Sequence, residues 1–370
     1  MTRLASVPEA TPDRLDALTG IRGIAAWLVV LYHIRLSLET LAPASVIAMF
    51  AKGYLAVDLF FVLSGFVLWH NYADRLADGG RAEARSFLWR RIARIWPLHA
   101  AILAAFVGLA LLFLLTGRDV AGYPFAQLPL HVLLIQNWGI TSELAWNHPA
   151  WSISTEMAAY LLFPLVVRCV RWERLPLAAQ LALAAGLLAA LYLLFALHGE
   201  KGLGGEIPRL GLWRCLIEFS LGNLVCMLWR RWRGRRHAAP CTAGVCLAAL
   251  AGWLLTGAEA AFAPLCFCAG ILALALDRGG IARALSTRAM VYLGEISYST
   301  YLAHFLLFIV FKLLFVDASL QLGWPGAAGF LALLLAVSAG LYHGLEKPAQ
   351  AWLNAHRPWD APLRRPLSAD

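Results

Sequence analysis

Apolar and polar residues separate into blocks along this chain. Ten apolar runs, at 23–38, 54–72, 98–116, 151–170, 177–197, 211–229, 241–257, 261–276, 292–315 and 326–346, are divided by shorter polar or basic segments. A helix rises ~1.5 Å per residue, so runs of this length match the ~30 Å hydrocarbon layer of a bilayer. Lipid offers backbone amides no partner, which leaves the helix as the form such runs must take. The pattern predicts an all-α, polytopic membrane bundle of about ten transmembrane helices. The polar segments carry the orientation. With the N-terminus inside, 24 of the 31 Lys and Arg residues fall in inner segments, 4 in outer segments and 3 within the runs. Positive residues accumulate on the cytoplasmic side, so both termini are expected in the cytoplasm.

Composition supports this reading and removes others. Of 370 residues, 61% are hydrophobic and 14% charged, with a mean hydropathy of +0.67; soluble domains carry roughly 25% charged residues. The net charge of +9 would suit nucleic acid, but no basic stretch has interleaved aromatics or a groove-reading motif, so nucleic acid is not an expected partner. Membrane lipid is. Residues 1–19 form a polar tail with Pro8 and Pro12 and no signal-peptide core, and the first run is expected to be retained. The Pro-rich stretch 349–370 is expected to be a disordered cytoplasmic tail, leaving 20–348 as the membrane domain. The cysteines at 169, 215, 226, 241, 246, 266 and 268 lie within or beside runs. That arrangement argues against a disulfide framework and offers no zinc spacing, so no metal is expected.

Polar residues inside the runs mark the candidate chemistry, because ionisable groups at membrane depth are costly unless paired or solvated. Arg22 opens the first run and His33 follows eleven positions later. Eleven residues are about three helical turns, so both side chains project from nearly one face, ~16 Å apart along the axis. Arg22 falls at one mouth of the membrane and His33 near its midplane. Asp58, just inside the second run, reads equally as a snorkelling or capping acid and as a site residue. The following Ser64-Gly65 favours close helix packing. The fourth run opens Trp151-Ser152-Ile153-Ser154-Thr155-Glu156, and its buried glutamate needs a cationic or donor partner, for which a histidine would serve. The ninth run carries Tyr298 and, deeper, His304, as readable as a core histidine as a functional one. Within 87–97, Arg91 and Arg94 stand three apart on one helical face. Two adjacent guanidiniums make a phosphate site, although basic segments of this kind also serve simply as topology anchors.

Taken in order, these segments resemble the membrane-bound acyltransferase-3 family, the bacterial O-acetylases and O-acyltransferases that decorate surface glycans and related hydroxylated molecules. The resemblance rests on Leu18-Thr-Gly-Ile-Arg22 with His33 beyond it; Val57-Asp-Leu-Phe-Phe-Val-Leu-Ser-Gly-Phe66; Arg91-x-x-Arg94-Ile-Trp-Pro97; Trp151 through Glu156; Gly294 through Tyr298 to His304; and Leu345-Glu-Lys-Pro348. One departure is Met157, where many members carry a second acidic residue. The resemblance implies acyl-CoA, expected to be acetyl-CoA, as a cytoplasmic co-substrate. It implies a glycan or lipid-linked hydroxyl as the acceptor, approached from outside, and residence in the bacterial inner membrane. No appended esterase-like domain is expected. Arg22 and His33 match the family's essential pair, and Arg91 with Arg94 its donor-linked motif.

Elementary chemistry agrees. An alcohol is a poor nucleophile at neutral pH and needs a base, and imidazole titrates nearest pH 7. His33 is therefore expected as general base, Glu156 as the group that orients its ring and supports imidazolium, and Arg22 as a holder of CoA phosphate or a thioester polariser. Direct transfer in a ternary complex is favoured over an acyl-histidine intermediate. The alternative function is a proton-coupled transporter with a His33/Glu156 relay. Against it, such transporters use paired, Gly/Pro-broken segments in two corresponding halves, and Pro164 of the fourth run is read as having no matching counterpart.

The orientation is open to test with single cysteines at Arg81, Gly122 and Arg233 and an impermeant maleimide on intact cells. Labelling is expected at 122 and not at 81 or 233; the reverse pattern would overturn the ten-span topology.

Overall fold

The structure, a computed structural model, describes residues 15–170, 174–317, 319–357 and 359. Among these residues there is no strand, and ten helices are long and apolar enough to cross a membrane. They are α1 (Asp16–Ile34), α2 (Ala56–Asp78), α3 (Gly80–Leu115), α4 (Ala150–Cys169), α5 (Leu177–Leu197), α6 (Ile207–Trp232), α7 (Ala238–Thr256), α8 (Glu259–Leu276), α9 (Ser297–Phe315) and α10 (Trp324–Leu341). Each accounts for one apolar run. α4 and α6 are the most enclosed, and α5 and α7 the most exposed to the surroundings of the bundle. The end that carries the basic segments is here the basal end, and the other the distal end.

Three segments differ from expectation. The stretch 73–97, read as an inner connection, is helical on both sides of a break at Gly79, so Arg91 and Arg94 belong to the first half of the 36-residue α3. The ninth run is interrupted at Ile296, between the helix Arg288–Glu295 and α9. Beyond α10 the chain passes through one widened, π-type turn, Tyr342–Glu346, into a helix, Lys347–Ala355. Residues 349–355 are therefore helical where disorder was expected. They dock on α3, where the Trp89 indole N–H donates to Leu353 O at 2.8 Å. Residues 1–14 and 360–370, most of the two expected tails, lie outside the described residues.

The centre of the bundle is the crossing of α2 and α6. Gly65 and Gly222 let the two backbones touch: a Cβ at Gly65 would stand 2.0 Å from Phe219 O, and one at Gly222 2.0 Å from Val62 O. Small residues at such crossings are how membrane helices gain packing energy without a hydrophobic driving force. Toward the distal end the same two helices share a buried ion pair. Arg214 of α6 donates through Nε to Asp58 Oδ1 at 2.6 Å and through Nη2 to Oδ2 at 2.5 Å, while its Nη1 reaches Leu203 O at 2.7 Å. Both side chains are almost wholly enclosed. Asp58 thus neither caps nor snorkels; it is neutralised by an arginine 156 residues away.

The connection between α3 and α4 folds into the bundle. His131, Gln136, Asn137, Trp146 and Asn147 are all buried. Asn137 N–H donates to Ser154 Oγ at 3.1 Å and the Trp138 indole to Ser154 O at 2.8 Å. As a result α4 starts below the distal surface, and its side chains lie deeper than a count from the membrane edge implies.

Removing one partner of the Asp58–Arg214 pair strands the other charge in an apolar interior. Arg214→Ala is expected to cost about 3–5 kcal/mol, read as a lowered unfolding temperature in detergent. Asp58→Leu combined with Arg214→Leu is expected to recover much of that loss. A double variant as unstable as the sum of the singles would show that the pair is not coupled.

Candidate active site

Two cavities open from opposite ends of the bundle. The basal one, of about 180 Å³, is lined by Arg22 of α1, Arg91 and Arg94 of α3, Ser152, Glu156 and Tyr160 of α4, Ser64 of α2, and Tyr298 and Tyr301 of α9. The distal one, of about 240 Å³, is lined by Tyr32, His33 and Arg35 at the end of α1, by Tyr54, His148 and Trp151, by Arg214, and again by Tyr301. It adjoins an open vestibule of about 540 Å³ with which it shares Tyr32, Arg35, Tyr54 and Gly204. Tyr301 and Val57 are the two residues common to the basal and distal linings.

Three guanidiniums converge on the basal cavity, and their partners differ. Arg94 is paired with Glu346, whose other oxygen accepts from Ser299 Oγ at 2.6 Å. The widened turn after α10 carries Glu346 to this position. Arg91 Nη2 donates to the Tyr72 hydroxyl at 2.9 Å and lies over the Tyr72 ring. Arg22 shares the cavity with Arg94 as a like charge and with Glu156 as an opposite one. With Glu346 committed to Arg94, Arg22 and Arg91 face the cavity against Glu156 alone. The surplus is positive, and a confined positive cavity selects an anion.

In the distal cavity the histidine tautomers follow from their partners. His33 Nδ1 lies 2.9 Å from Val29 O, and His304 Nδ1 lies 2.6 Å from Tyr301 O. A carbonyl only accepts, so both Nδ1 atoms carry hydrogen. In the neutral rings His304 Nε2 is then an acceptor, 3.2 Å from His33 Nδ1, and shares the same N–H with Val29 O. His33 Nε2 retains its lone pair, with no partner among the described residues. His148, outside the membrane helices, stacks on Phe305 at 4.9 Å, and burial lowers its imidazole below the ordinary value, favouring the neutral form.

The sequence-derived candidates therefore divide. Arg22, Arg91, Arg94, Ser152, Glu156 and Tyr298 meet in the basal cavity; His33 and His304 meet at the distal one; Asp58 lines neither. Glu156 does not orient His33, contrary to expectation. Glu156 lines the basal cavity with Arg22, and His304 takes the place beside the His33 ring. Sequence reasoning also passed over Tyr301, Glu346 and Arg214. For Tyr301 the signal was present, because Tyr298, Tyr301 and His304 recur at three-residue spacing along one face of α9.

A family profile described as an acyltransferase domain matches residues 15–343. The chain belongs to the acyltransferase-3 family. Among relatives, "Acyltransferase MdmB" of Streptomyces mycarofaciens is 30% identical over 93% of this chain and 94% of its own length. "Exopolysaccharide production protein ExoZ" of Rhizobium meliloti (strain 1021) is 28% identical over 81% of this chain and 90% of its own. A putative O-acetyltransferase of Staphylococcus aureus (strain COL) is 24% identical over 41% of this chain and 24% of its own. No solved structure matches the chain significantly. Ten membrane-length helices and membership of this family make the protein a multi-pass membrane acyltransferase, of the kind that moves groups other than aminoacyl.

The two α3 arginines of the cavity are expected to separate in a stability measurement. Arg94→Ala leaves the buried Glu346 without its cation and should cost about 3 kcal/mol, the lower end for a broken buried pair, because Ser299 still donates to the carboxylate. Arg91→Ala loses one bond to a half-buried hydroxyl and should cost about 1 kcal/mol. Thermal unfolding of the two purified variants checks the order.

Proposed function

We propose that this acyltransferase takes an acyl group, acetyl by preference, from acyl-CoA in the basal cavity and delivers it to a hydroxyl in the distal cavity, with His33 as general base. The observation that carries the proposal is the division of labour between the cavities: surplus guanidinium charge in one, a histidine with a free ring nitrogen in the other, and a single residue layer between. The 24-to-4 division of cations favours a cytoplasmic basal end, the side on which acyl-CoA is made. The protein is then a resident of the bacterial inner membrane.

Geometry narrows the roles. Arg22 and His33 are ~16 Å apart along one helix, so Arg22 holds donor phosphate with Arg91 and does not touch a thioester that reacts at His33. The thin pantetheine arm spans that interval. In the distal cavity the acceptor O–H donates to His33 Nε2; its oxygen attacks the thioester carbonyl; the C–S bond breaks; and the proton passes from imidazolium to the departing thiolate. His304 positions the ring, and Glu156 balances the arginines of the donor cavity. The name of the exopolysaccharide-production relative and the tyrosines and tryptophan of the distal lining favour a glycan hydroxyl as acceptor. The transporter reading requires a His33–Glu156 relay, and these two residues line different cavities.

The test uses purified protein, acetyl-CoA and surface glycan from cells lacking the gene, followed by CoA release and by mass spectrometry of the glycan. His33→Gln keeps hydrogen bonding but takes no proton at neutral pH, and is expected to lose about 10²–10⁴-fold in turnover while unfolding at the wild-type temperature. Near-normal turnover in that variant removes His33 as the base. Arg91→Ala is expected to raise the KM for acetyl-CoA by about tenfold, the equivalent of one charge-assisted bond, with kcat retained.

A further inference from the structure

The layer between the cavities is more specific than a wall of core residues. Tyr301, buried in α9, has its ring centroid 6.1 Å from that of Phe60 of the basal lining, in a T-shaped pair, and 6.0 Å from that of His304, in a tilted one. Its hydroxyl donates to Pro149 O at 2.9 Å and accepts from Ser152 Oγ at 2.7 Å. The adjacent Leu302 O accepts from Asn147 Nδ2 at 3.0 Å. Thus α9 is fastened to the start of α4 by three hydrogen bonds around the one aromatic ring that both cavities share.

The network has a property that a static core contact lacks. Ser152 Oγ also lies 3.1 Å from Pro149 O as a donor. If the Tyr301 hydroxyl leaves, Ser152 turns to Pro149 O, and neither of them is stranded. Losing a buried hydrogen bond is costly mainly when a partner remains unsatisfied; here the only group to be re-satisfied is the tyrosine hydroxyl itself, which swings into a cavity lined by polar groups. The closed arrangement is definite, and opening it strands neither Ser152 nor Pro149 O.

We propose that Tyr301, with Val57 opposite, is a gate between the donor and acceptor cavities, held shut by the Ser152–Tyr301–Pro149 triangle and opened by rotation of the phenol when the acyl arm advances. The direction of transfer rests on the function proposed above; the gate rests on the shared lining alone. Tyr301 acts on the reaction as a positioning residue. While shut it keeps the distal end from communicating with the donor cavity, and once displaced it lets an acyl group reach the acceptor while still excluding bulk water.

The test separates the gate from the chemistry. Ser64→Cys places a thiol in the basal cavity, and an impermeant thiol reagent is offered from either side of the membrane, with the unsubstituted chain as the blank for native cysteines. In Ser64→Cys alone, labelling is expected from the basal side only; with Tyr301→Ala added, from both sides. Tyr301→Phe keeps the ring and is expected to remain one-sided at rest. If Tyr301→Ala fails to fold, Val57→Gly widens the same layer from the facing helix and is expected to behave alike. Two-sided labelling of Ser64→Cys alone, or one-sided labelling in both widened variants, overturns the gate. In parallel, acetyl-CoA hydrolysis without acceptor is expected to rise several-fold in the widened variants while transfer falls. If labelling opens as expected and the wild type shows no acetyl-CoA turnover, the gate stands and the donor assignment fails. If the wild type transfers acetyl and labelling stays one-sided in the widened variants, the reverse holds.

Discussion

A guanidinium cannot be left unpaired inside an apolar bundle, and the arrangement of this protein follows from how Arg214 is accommodated. Asp58 takes two of its donors and Leu203 O a third. The same Leu203 gives its N–H to Glu259 at 2.8 Å, and Glu259 in turn receives Lys52 at 2.7 Å and the Tyr54 hydroxyl. One connected network therefore ties α2, α6, α8 and the 198–206 connection together at the distal end. Val57, half of the layer between the cavities, is the neighbour of Asp58 in sequence, while Tyr54 and Arg214 line the distal cavity directly. The position of the distal cavity is thus set by electrostatic necessity as much as by packing. The backbone contact at Gly65 and Gly222 fixes the separation at which the ion pair can form.

The two cavities use different physics. The basal one is built for charge: cations from α1 and α3, with the strongest carboxylate partner brought round from the end of α10. The distal one sets a histidine pair, His33 and His304 linked nitrogen to nitrogen, among aromatic rings. Its two cations are engaged elsewhere, Arg214 by Asp58 and Leu203 O, and Arg35 by Tyr32 O and the Tyr32 ring. Under the function proposed above, the base and the charge of the donor thereby stand in different surroundings.

Much of this was legible in the chain. The run lengths gave ten helices, the Arg22–His33 spacing gave two depths on one helix face, and the three-residue spacing of Arg91 and Arg94 gave a shared guanidinium site. Other features were not legible, for one reason: they depend on where a segment sits along the membrane normal. Glu156 lay five residues inside its run, but it lines the basal cavity with Arg22, while the segment before it buries Asn137, Trp146 and Asn147. No local pattern announces that. Likewise, Asp58 and Arg214 are each ambiguous alone, and only the close α2–α6 crossing makes them partners. The helical segment 349–355 follows a widened turn whose extra residue aims Glu346 at Arg94, a register effect invisible in a hydrophobicity profile.

The length of α3 has a consequence of its own. At 36 residues it extends about 54 Å, well past the ~30 Å hydrocarbon layer, and its first turns carry Arg81, Arg85 and Arg90 ahead of the cavity residues Arg91 and Arg94. Such a basic shelf at the bilayer surface gathers anionic lipid headgroups. Any anionic ligand bound for the basal cavity must cross ground those headgroups already occupy. Under the function proposed above, lipid and donor then meet at adjoining guanidiniums, so the composition of the leaflet becomes a parameter of the enzyme, and an affinity measured in neutral detergent describes a different surface from the one the protein has in its membrane.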